Sequence, residues 1–542
     1  MSSTTQSAPS WQDGKVAGWI VSVDHKRIGA QYLGWAGVFF LIAGIMTVLM
    51  RLQLTRPDAS ILGDSTYKGV LTMHGTLLVF FVLVPVVIGL ATYLVPLMIG
   101  ADRIAMPGIA ALAMWLFVFA GIAVVLSAFA SGGSSDDGWT GYPPGTLTQE
   151  GNGVRLWLIG LFLLALSVAA SAVNLAATIR SLRAEGMDWA KTPLFAWSVY
   201  VWSVVTIVLA PLAAIGLALI LLERRFDGSF DFFLTSDQTV KPWLIWLFGQ
   251  TFAYAALVPV IGVLAELVAV FAGRAIASAR TLAQALVGIG GLALVLVLYH
   301  AYAGGIGKKP SAVLLILAVI ATIPSVVALV LLKKTLWQGR GGIRWTAPML
   351  FAGGAVFLFA IGLLSALALA IFGNSRDWRG TAFGFAHAHY LIWGTALLAL
   401  LGGLVYWWPK VFGRLLGTRL TAWSAWLLFI GFNCTFFVQF LLGDNGQPAG
   451  ASSFEEHGST SAYNMISTIG TAVTTLGVLA FLLAVARAHN GRRAGNDPWR
   501  GDTLEWYTTS PPPPHNFDSV PAITSARPLA DLRRTLEERN AL

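Results

Sequence analysis

The feature that most constrains this chain is a succession of apolar stretches, each long enough to cross a lipid bilayer. A spanning helix needs about 20 apolar residues. Twelve stretches qualify: 29–52, 69–98, 107–130, 154–181, 194–222, 241–272, 283–304, 311–333, 346–372, 380–408, 422–443 and 459–486. Hydrocarbon offers no partners to irregular backbone, so such stretches cross as helices. The expected fold is an all-α polytopic membrane protein, a bundle of about twelve transmembrane helices. Charge content agrees. Only 11% of the 542 residues are charged, against about 25% in an ordinary soluble domain. A soluble fold could not cover its surface with so few.

Three regions follow. Residues 1–28 are polar and mixed, with no apolar core of a cleavable signal peptide. Residues 29–486 form the membrane domain. Residues 487–542 are polar, contain the run Pro511 to Pro514, and read as an exposed extension with some polyproline character. The single cysteine, Cys434, excludes a disulfide framework and a thiolate zinc site. Its apolar surroundings make packing its default role.

The net charge is +9. In a soluble protein this would suggest nucleic acid as a partner; here it reports orientation. Twelve spans put both termini on one side. That side holds 24 Lys and Arg, the opposite side 11, and 16 against 11 without the tail. The positive-inside rule makes the terminal side cytoplasmic, so the partner implied is a lipid bilayer and no nucleic acid is expected.

Titratable groups inside spans are costly and usually functional. Glu266 is the one carboxylate well inside a span, and the histidines there are His74, His300, His387 and His389. The remaining four, His25, His457, His489 and His515, fall in loops or at span ends, where solvated surface is expected. At 1.5 Å rise per residue, the four intramembrane histidines lie roughly 6–14 Å from the non-terminal face. Three separate spans thus place imidazoles in one layer, which points to bound metal or haem. His387 and His389 are two residues apart, about 200° round a helix. They face opposite sides and suit two cofactors flanking span ten.

The residues carrying this chemistry resemble subunit I of the haem–copper oxidases, the cytochrome c and quinol oxidase family. The likeness runs along Asp24-His25-Lys26-Arg27-Ile28-Gly29, Met73-His74-Gly75-Thr76 and Tyr93-Leu94-Val95-Pro96-Leu97-Met98-Ile99-Gly100. It continues through Gly138-Trp139-Thr140-Gly141-Tyr142-Pro143-Pro144, Ala386-His387-Ala388-His389-Tyr390 and Gly431-Phe432-Asn433-Cys434-Thr435-Phe436-Phe437. The resemblance implies two haems: a low-spin haem on His74 and His389, and a high-spin haem on His387. Trp139 would lie in the loop that contacts haem propionates. Arg51, closing span one, would meet the formyl group of a haem A; snorkelling to the interface is the plain alternative. Whether the haems are type A or B stays open.

The oxygen-reducing half departs from the family. Gln250 stands where a copper-B histidine is expected, Phe252 where the family carries a carboxylate, and Tyr299-His300 where it has a histidine pair. Tyr254 keeps the family tyrosine. His300 is the only residual copper-B-type ligand, so copper-B is expected to be absent or weakly bound. Proton-channel positions are changed too: Thr92 for asparagine, Ala328 for lysine, Arg379-Gly380 for His-Asp, and Ala449-Gly450 for an arginine pair.

The expectation is an oxidoreductase subunit of a respiratory complex, using His387, His300, Tyr254, Gln250 and Tyr299 around a diatomic substrate, O2 or NO, with impaired proton pumping. Its partners would be other subunits, including a cytochrome c or copper-domain electron donor, in a bacterial inner membrane. The alternative is a non-catalytic haem protein serving electron relay, gas sensing or assembly. A twelve-span transporter would leave the histidine layer without a purpose.

Overall fold

The computed structural model describes residues 17–139, 149–226, 243–305, 311–373, 376–378 and 380–540; the side chains of 243–251, 295–315, 317, 318 and 321 are outside that description. Twelve long helices follow in the expected order. They are α1 (His25–Gln53), α2 (Asp64–Met98), α3 (Pro107–Ser127), α4 (Asn152–Ser181), α5 (Leu194–Arg225) and α6 (Trp243–Phe271). Then come α7 (Ala279–Gly305), α8 (Ser311–Gly339), α9 (Ala347–Phe372), α10 (Ala382–Phe412), α11 (Thr418–Asp444) and α12 (Thr460–Ala486). A polar helix, α13 (Pro528–Asn540), lies in the tail. Among the described residues, ten of these helices are long and apolar enough to cross a membrane, while Ala279–Leu294 of α7 counts as a shorter apolar segment. The protein is an integral membrane protein. Boundaries moved by a few residues; α8 runs on to Gly339 rather than stopping near 333.

Local chemistry sets the ends. The Asp24 carboxylate accepts from the Lys26 amide at 2.9 Å and caps α1. Thr381 caps α10 through the Phe383 amide. Gly413, at φ 68°, stops α10 in a left-handed turn. Two helices are not regular throughout. α2 widens into a π-helical stretch at Leu77–Leu83, and α10 does so at His389–Gly394. Such stretches recur at functional sites because they re-aim side chains. Here one follows His74 by three residues and the other begins on His389.

Depth in the bundle separates the helices. The most apolar window of α2 and of α6 is 89% buried, against 22% for α1 and 28% for α12. α2 and α6 are thus interior, and α1 and α12 face lipid with residues such as Ile45 and Ile469. Lipid tails are as apolar as leucine, so helices associate here by close packing. Gly362 shows this: a Cβ there would lie 2.5 Å from the Leu391 backbone, so only glycine lets α9 meet α10.

The tail is docked, which corrects the reading of it as an exposed extension. Lys410, fully buried near the end of α10, donates to the carbonyls of Thr508, Thr509 and Asn496 at 2.8, 3.1 and 3.3 Å. Trp506 donates to the Tyr406 hydroxyl at 2.7 Å, and Trp499 to the Tyr406 carbonyl at 2.8 Å. Asn516 donates to the Ala101 carbonyl at 2.8 Å. His25 is likewise corrected from solvated to buried: Nδ1 meets the Thr92 carbonyl at 3.0 Å and Nε2 meets the Asn516 amide at 3.0 Å. The remaining three, His457, His489 and His515, are exposed. Arg527 and, from α13, Arg533 pair with Asp502. The tail's few apolar anchors are lost in an averaged composition.

Replacing Lys410 with Met should leave three carbonyls, that of Thr508 buried, without their donor, at a cost of about 1–3 kcal/mol. Limited proteolysis of the detergent-solubilised protein should then cut within 487–540 faster than in the parent; equal rates would mean that the ammonium does not hold the tail.

Candidate functional site: a histidine-lined cavity in the membrane

α1, α2, α10 and α11, with the loop after α11, line a cavity that opens to the exterior. His74, His389, Arg51, Tyr67, Phe385 and Phe436 are among its lining residues. The structure thus brings His74 and His389 to one space from two helices.

Hydrogen bonds fix which ring nitrogen of each histidine remains free. Nδ1 of His74 lies 3.2 Å from the Ala43 carbonyl and 3.1 Å from Thr47 Oγ1. The Thr47 hydroxyl itself donates to the Ala43 carbonyl, so both neighbours of Nδ1 act as acceptors. Nδ1 of His389 meets the Phe385 carbonyl at 2.7 Å. A carbonyl only accepts, so each Nδ1 carries the proton and each Nε2 keeps its lone pair. The His389 ring also stacks on Phe436, with centroids 4.0 Å apart and planes 17° apart. This is the arrangement of metal-ligating histidines, whose second nitrogen donates to a carbonyl that fixes ring and tautomer.

His387 points elsewhere. Its Nδ1 lies 3.0 Å from Ser365 Oγ on α9, and that hydroxyl donates to the Gly362 carbonyl at 2.8 Å. Ser365 has given its one proton away, so His387 donates to it and Nε2 is again free. The two histidines of α10 therefore address α9 and α11 respectively. His387 is not among the residues lining the His74–His389 cavity.

Arg51 is buried, not snorkelled. Its Nη2 donates to the Asn464 carbonyl at 2.8 Å, and among the described residues Nε has no partner. An unpartnered buried guanidinium N–H beside the cavity fits an oxygen-bearing edge of a planar ligand. Trp139 is half-buried, edge-on to Trp393 and against Phe80. It lies over Gly75, where a Cβ would come within 2.7 Å of the indole. The glycine after His74 is therefore what admits the tryptophan.

Tyr254 is half-buried on α6 and packs against the core. The side chains of Gln250, Tyr299 and His300 lie outside the described residues, as do Arg379 and the loop residues Thr140–Pro144. Phe252 is buried on α6 and Ala328 on α8. The Ala449 amide donates to the Gly380 carbonyl at 2.8 Å, and Gly450 lines the cavity. Glu266 meets the Phe195 amide at 3.1 Å at the start of α5. Sequence reading missed Thr47 and Ser365. Both are hydroxyls inside apolar runs, and that isolation was the available signal.

The chain matches the model of the family "Cytochrome C and Quinol oxidase polypeptide I" over residues 27–473. Cytochrome c oxidase subunit 1 of Bacillus subtilis is 34% identical over 514 residues, covering 94% of this chain and 82% of the relative. A putative cytochrome c oxidase subunit 1-beta of Streptomyces coelicolor is 34% identical, covering 95% and 90%. The heme-copper oxidase subunit I+III of Aeropyrum pernix is 34% identical, covering 93% of this chain and 62% of the relative. A solved heme-copper terminal oxidase dimer superposes with a TM-score of 0.71 at 15% identity, over 86% of this chain and 84% of that one, a likeness of fold.

The burial of Arg51 is directly testable. Arg51→Met should lower the stability of the detergent-solubilised protein by about 2 kcal/mol, because the Asn464 carbonyl loses a charged donor. An unchanged unfolding midpoint would mean that Arg51 is a snorkelled surface residue.

Proposed function

This chain belongs to the cytochrome c and quinol oxidase polypeptide I family of terminal-oxidase subunits, and on that premise we propose that it is the redox subunit of a respiratory complex with two haem sites. The observation that carries this reading is the pair of free Nε2 atoms, on His74 and His389, lining one membrane cavity. A haem held by His74 and His389 would supply a one-electron carrier, and a second haem held by His387 would supply binding of O2 or NO.

The chain's own residues do the positioning. The carbonyls of Ala43 and Phe385 hold the tautomers of His74 and His389, and the Phe436 face sets the plane of the second ring. Ser365 and Gly362 do the same for His387 on the other side of α10. Arg51 offers its free N–H to the cavity, which suits the formyl of a haem A or a propionate of either haem type. Trp139, seated over Gly75, closes the space beside His74.

The diatomic side is assigned to His300, Tyr254, Gln250 and Tyr299 by position in the sequence. Gln250 and Tyr299 are poor copper ligands, which supports a copper-B site that is absent or weakly bound. Phe252, Thr92 and Ala328 carry no proton-transferring carboxylate, amide or amine, which supports impaired pumping. Electrons would arrive from a cytochrome c or copper-domain partner subunit. The distribution of Lys and Arg supports cytoplasmic termini in a bacterial inner membrane. The same replaced copper positions favour a second reading, a non-catalytic haem protein for relay, gas sensing or assembly.

Purified protein should contain two haems and little or no copper. One copper per chain by metal analysis would remove the degenerate-site reading. His74→Ala and His389→Ala should each abolish the low-spin spectrum; survival of that spectrum in both variants would refute the ligand assignment. Carbon monoxide should bind the reduced protein at the His387 haem. Its failure to bind would favour the non-catalytic reading, and O2 and NO consumption assays then separate the two substrates.

A further inference from the structure

At the terminal end of the bundle, the start of α5, the last turns of α6 and α10, and the docked tail meet. The Phe195 amide, in the first turn of α5, donates to Glu266 Oε1 at 3.1 Å. The Phe195 ring packs on Trp407 of α10, centroids 5.4 Å apart. The Trp407 indole donates to Glu505 Oε1 at 3.1 Å, and the Thr503 hydroxyl donates to the same oxygen at 2.8 Å. One tilted Phe–Trp ring pair thus lies between two carboxyl groups. Glu266 is 8% exposed and Glu505 is fully buried. Among the described residues, the other oxygen of Glu505, Oε2, is buried without a hydrogen-bond partner. Among the described residues, neither carboxyl group is ion-paired.

The two environments differ. Glu266 faces an amide at a helix N-terminus, where the backbone dipole favours negative charge. Glu505 has one oxygen satisfied and one orphaned, which suits the neutral acid. Two buried negative charges acting on each other would be costly, so one of the pair keeps its proton. The remaining charged and titratable groups acting on the pair are Lys410 and Tyr406 from α10, and Asp497, Asp502 and Arg527 from the tail. Lys410 gives its protons to three carbonyls, the Tyr406 hydroxyl accepts from Trp506, Arg527 pairs with Asp502, and Arg533 pairs with both Asp497 and Asp502.

We propose that Glu505 and Glu266 form a proton-binding site that holds one proton at neutral pH, with Glu505 Oε2 carrying it and Glu266 supplying the neighbouring negative charge. Burial pushes the Glu505 carboxyl above the usual carboxylate range, against the pull of Thr503, Trp407 and Lys410. The proton is taken from, and returned to, the aqueous phase at the terminal end. Only an O–H bond forms or breaks. The site is independent of whether haem is bound, so its failure and that of the haem reading are distinguishable.

Because the folded-state pKa is raised, the folded protein binds the proton more tightly than the unfolded chain. Stability from this group falls as pH rises through the folded pKa. The test is infrared pH titration of the detergent-solubilised protein in H2O and D2O. The parent should show a buried protonated-carboxyl band at pH 7 that shifts in D2O and vanishes at alkaline pH. E505Q should remove the band, keep Oε1 available to Trp407 and Thr503, and gain stability over the parent at alkaline pH. E266Q should keep the band but lower its titration midpoint by about one pH unit or more, as expected for coupled sites. A parent with no protonated carboxyl at pH 7 overturns the proposal, and that spectrum decides even if a variant fails to assemble. A band unchanged by E505Q, or a midpoint unmoved by E266Q, also overturns it.

Discussion

A polar group inside hydrocarbon must find its partner within the protein. For a histidine this constraint is also an instruction. Once one ring nitrogen has donated to a carbonyl, the other is a lone pair pointing away. His74, His389 and His387 all follow it, through Ala43, Phe385 and the Ser365–Gly362 relay. Burial thus leaves three imidazoles of fixed tautomer, each with a free Nε2. The π-helical stretches that follow His74 and begin at His389 belong to the same solution, since they let α2 and α10 stay continuous while aiming those rings.

The same constraint organises the opposite end of the molecule. Lys410 cannot remain buried without acceptors, and the carbonyls of the tail supply them. The first amides of α5 cannot remain buried without an acceptor, and Glu266 supplies one. The tail is therefore part of the fold. It completes the polar inventory of the helix ends, and Trp499 and Trp506 make its contact with α10 specific.

Much of this was legible in the sequence. The twelve apolar runs fall on twelve long helices, and among the described residues ten of these are long and apolar enough to span. His74 and His389 reach one cavity, as the shared depth of the histidines suggested, and the two-residue spacing of His387 and His389 matches their turning to α9 and α11. What escaped sequence reasoning depended on tertiary partners. Thr47 and Ser365 matter through what they touch, and a lone hydroxyl in an apolar run does not announce its neighbour. His25 sits at a span boundary, where burial is decided by whether another segment covers it; the covering residue, Asn516, is 491 positions away. The tail looked exposed because its charged residues outnumber its anchors, yet two tryptophans and the buried Lys410 ammonium decide its docking.

The central claim is that His74 and His389 together present two imidazole nitrogens to one haem. Near-infrared magnetic circular dichroism of the oxidised, purified protein reports the axial ligand pair of low-spin haem directly. The account predicts a charge-transfer band characteristic of bis-imidazole ligation. A protein that carries haem but shows only high-spin or single-histidine signatures would contradict it.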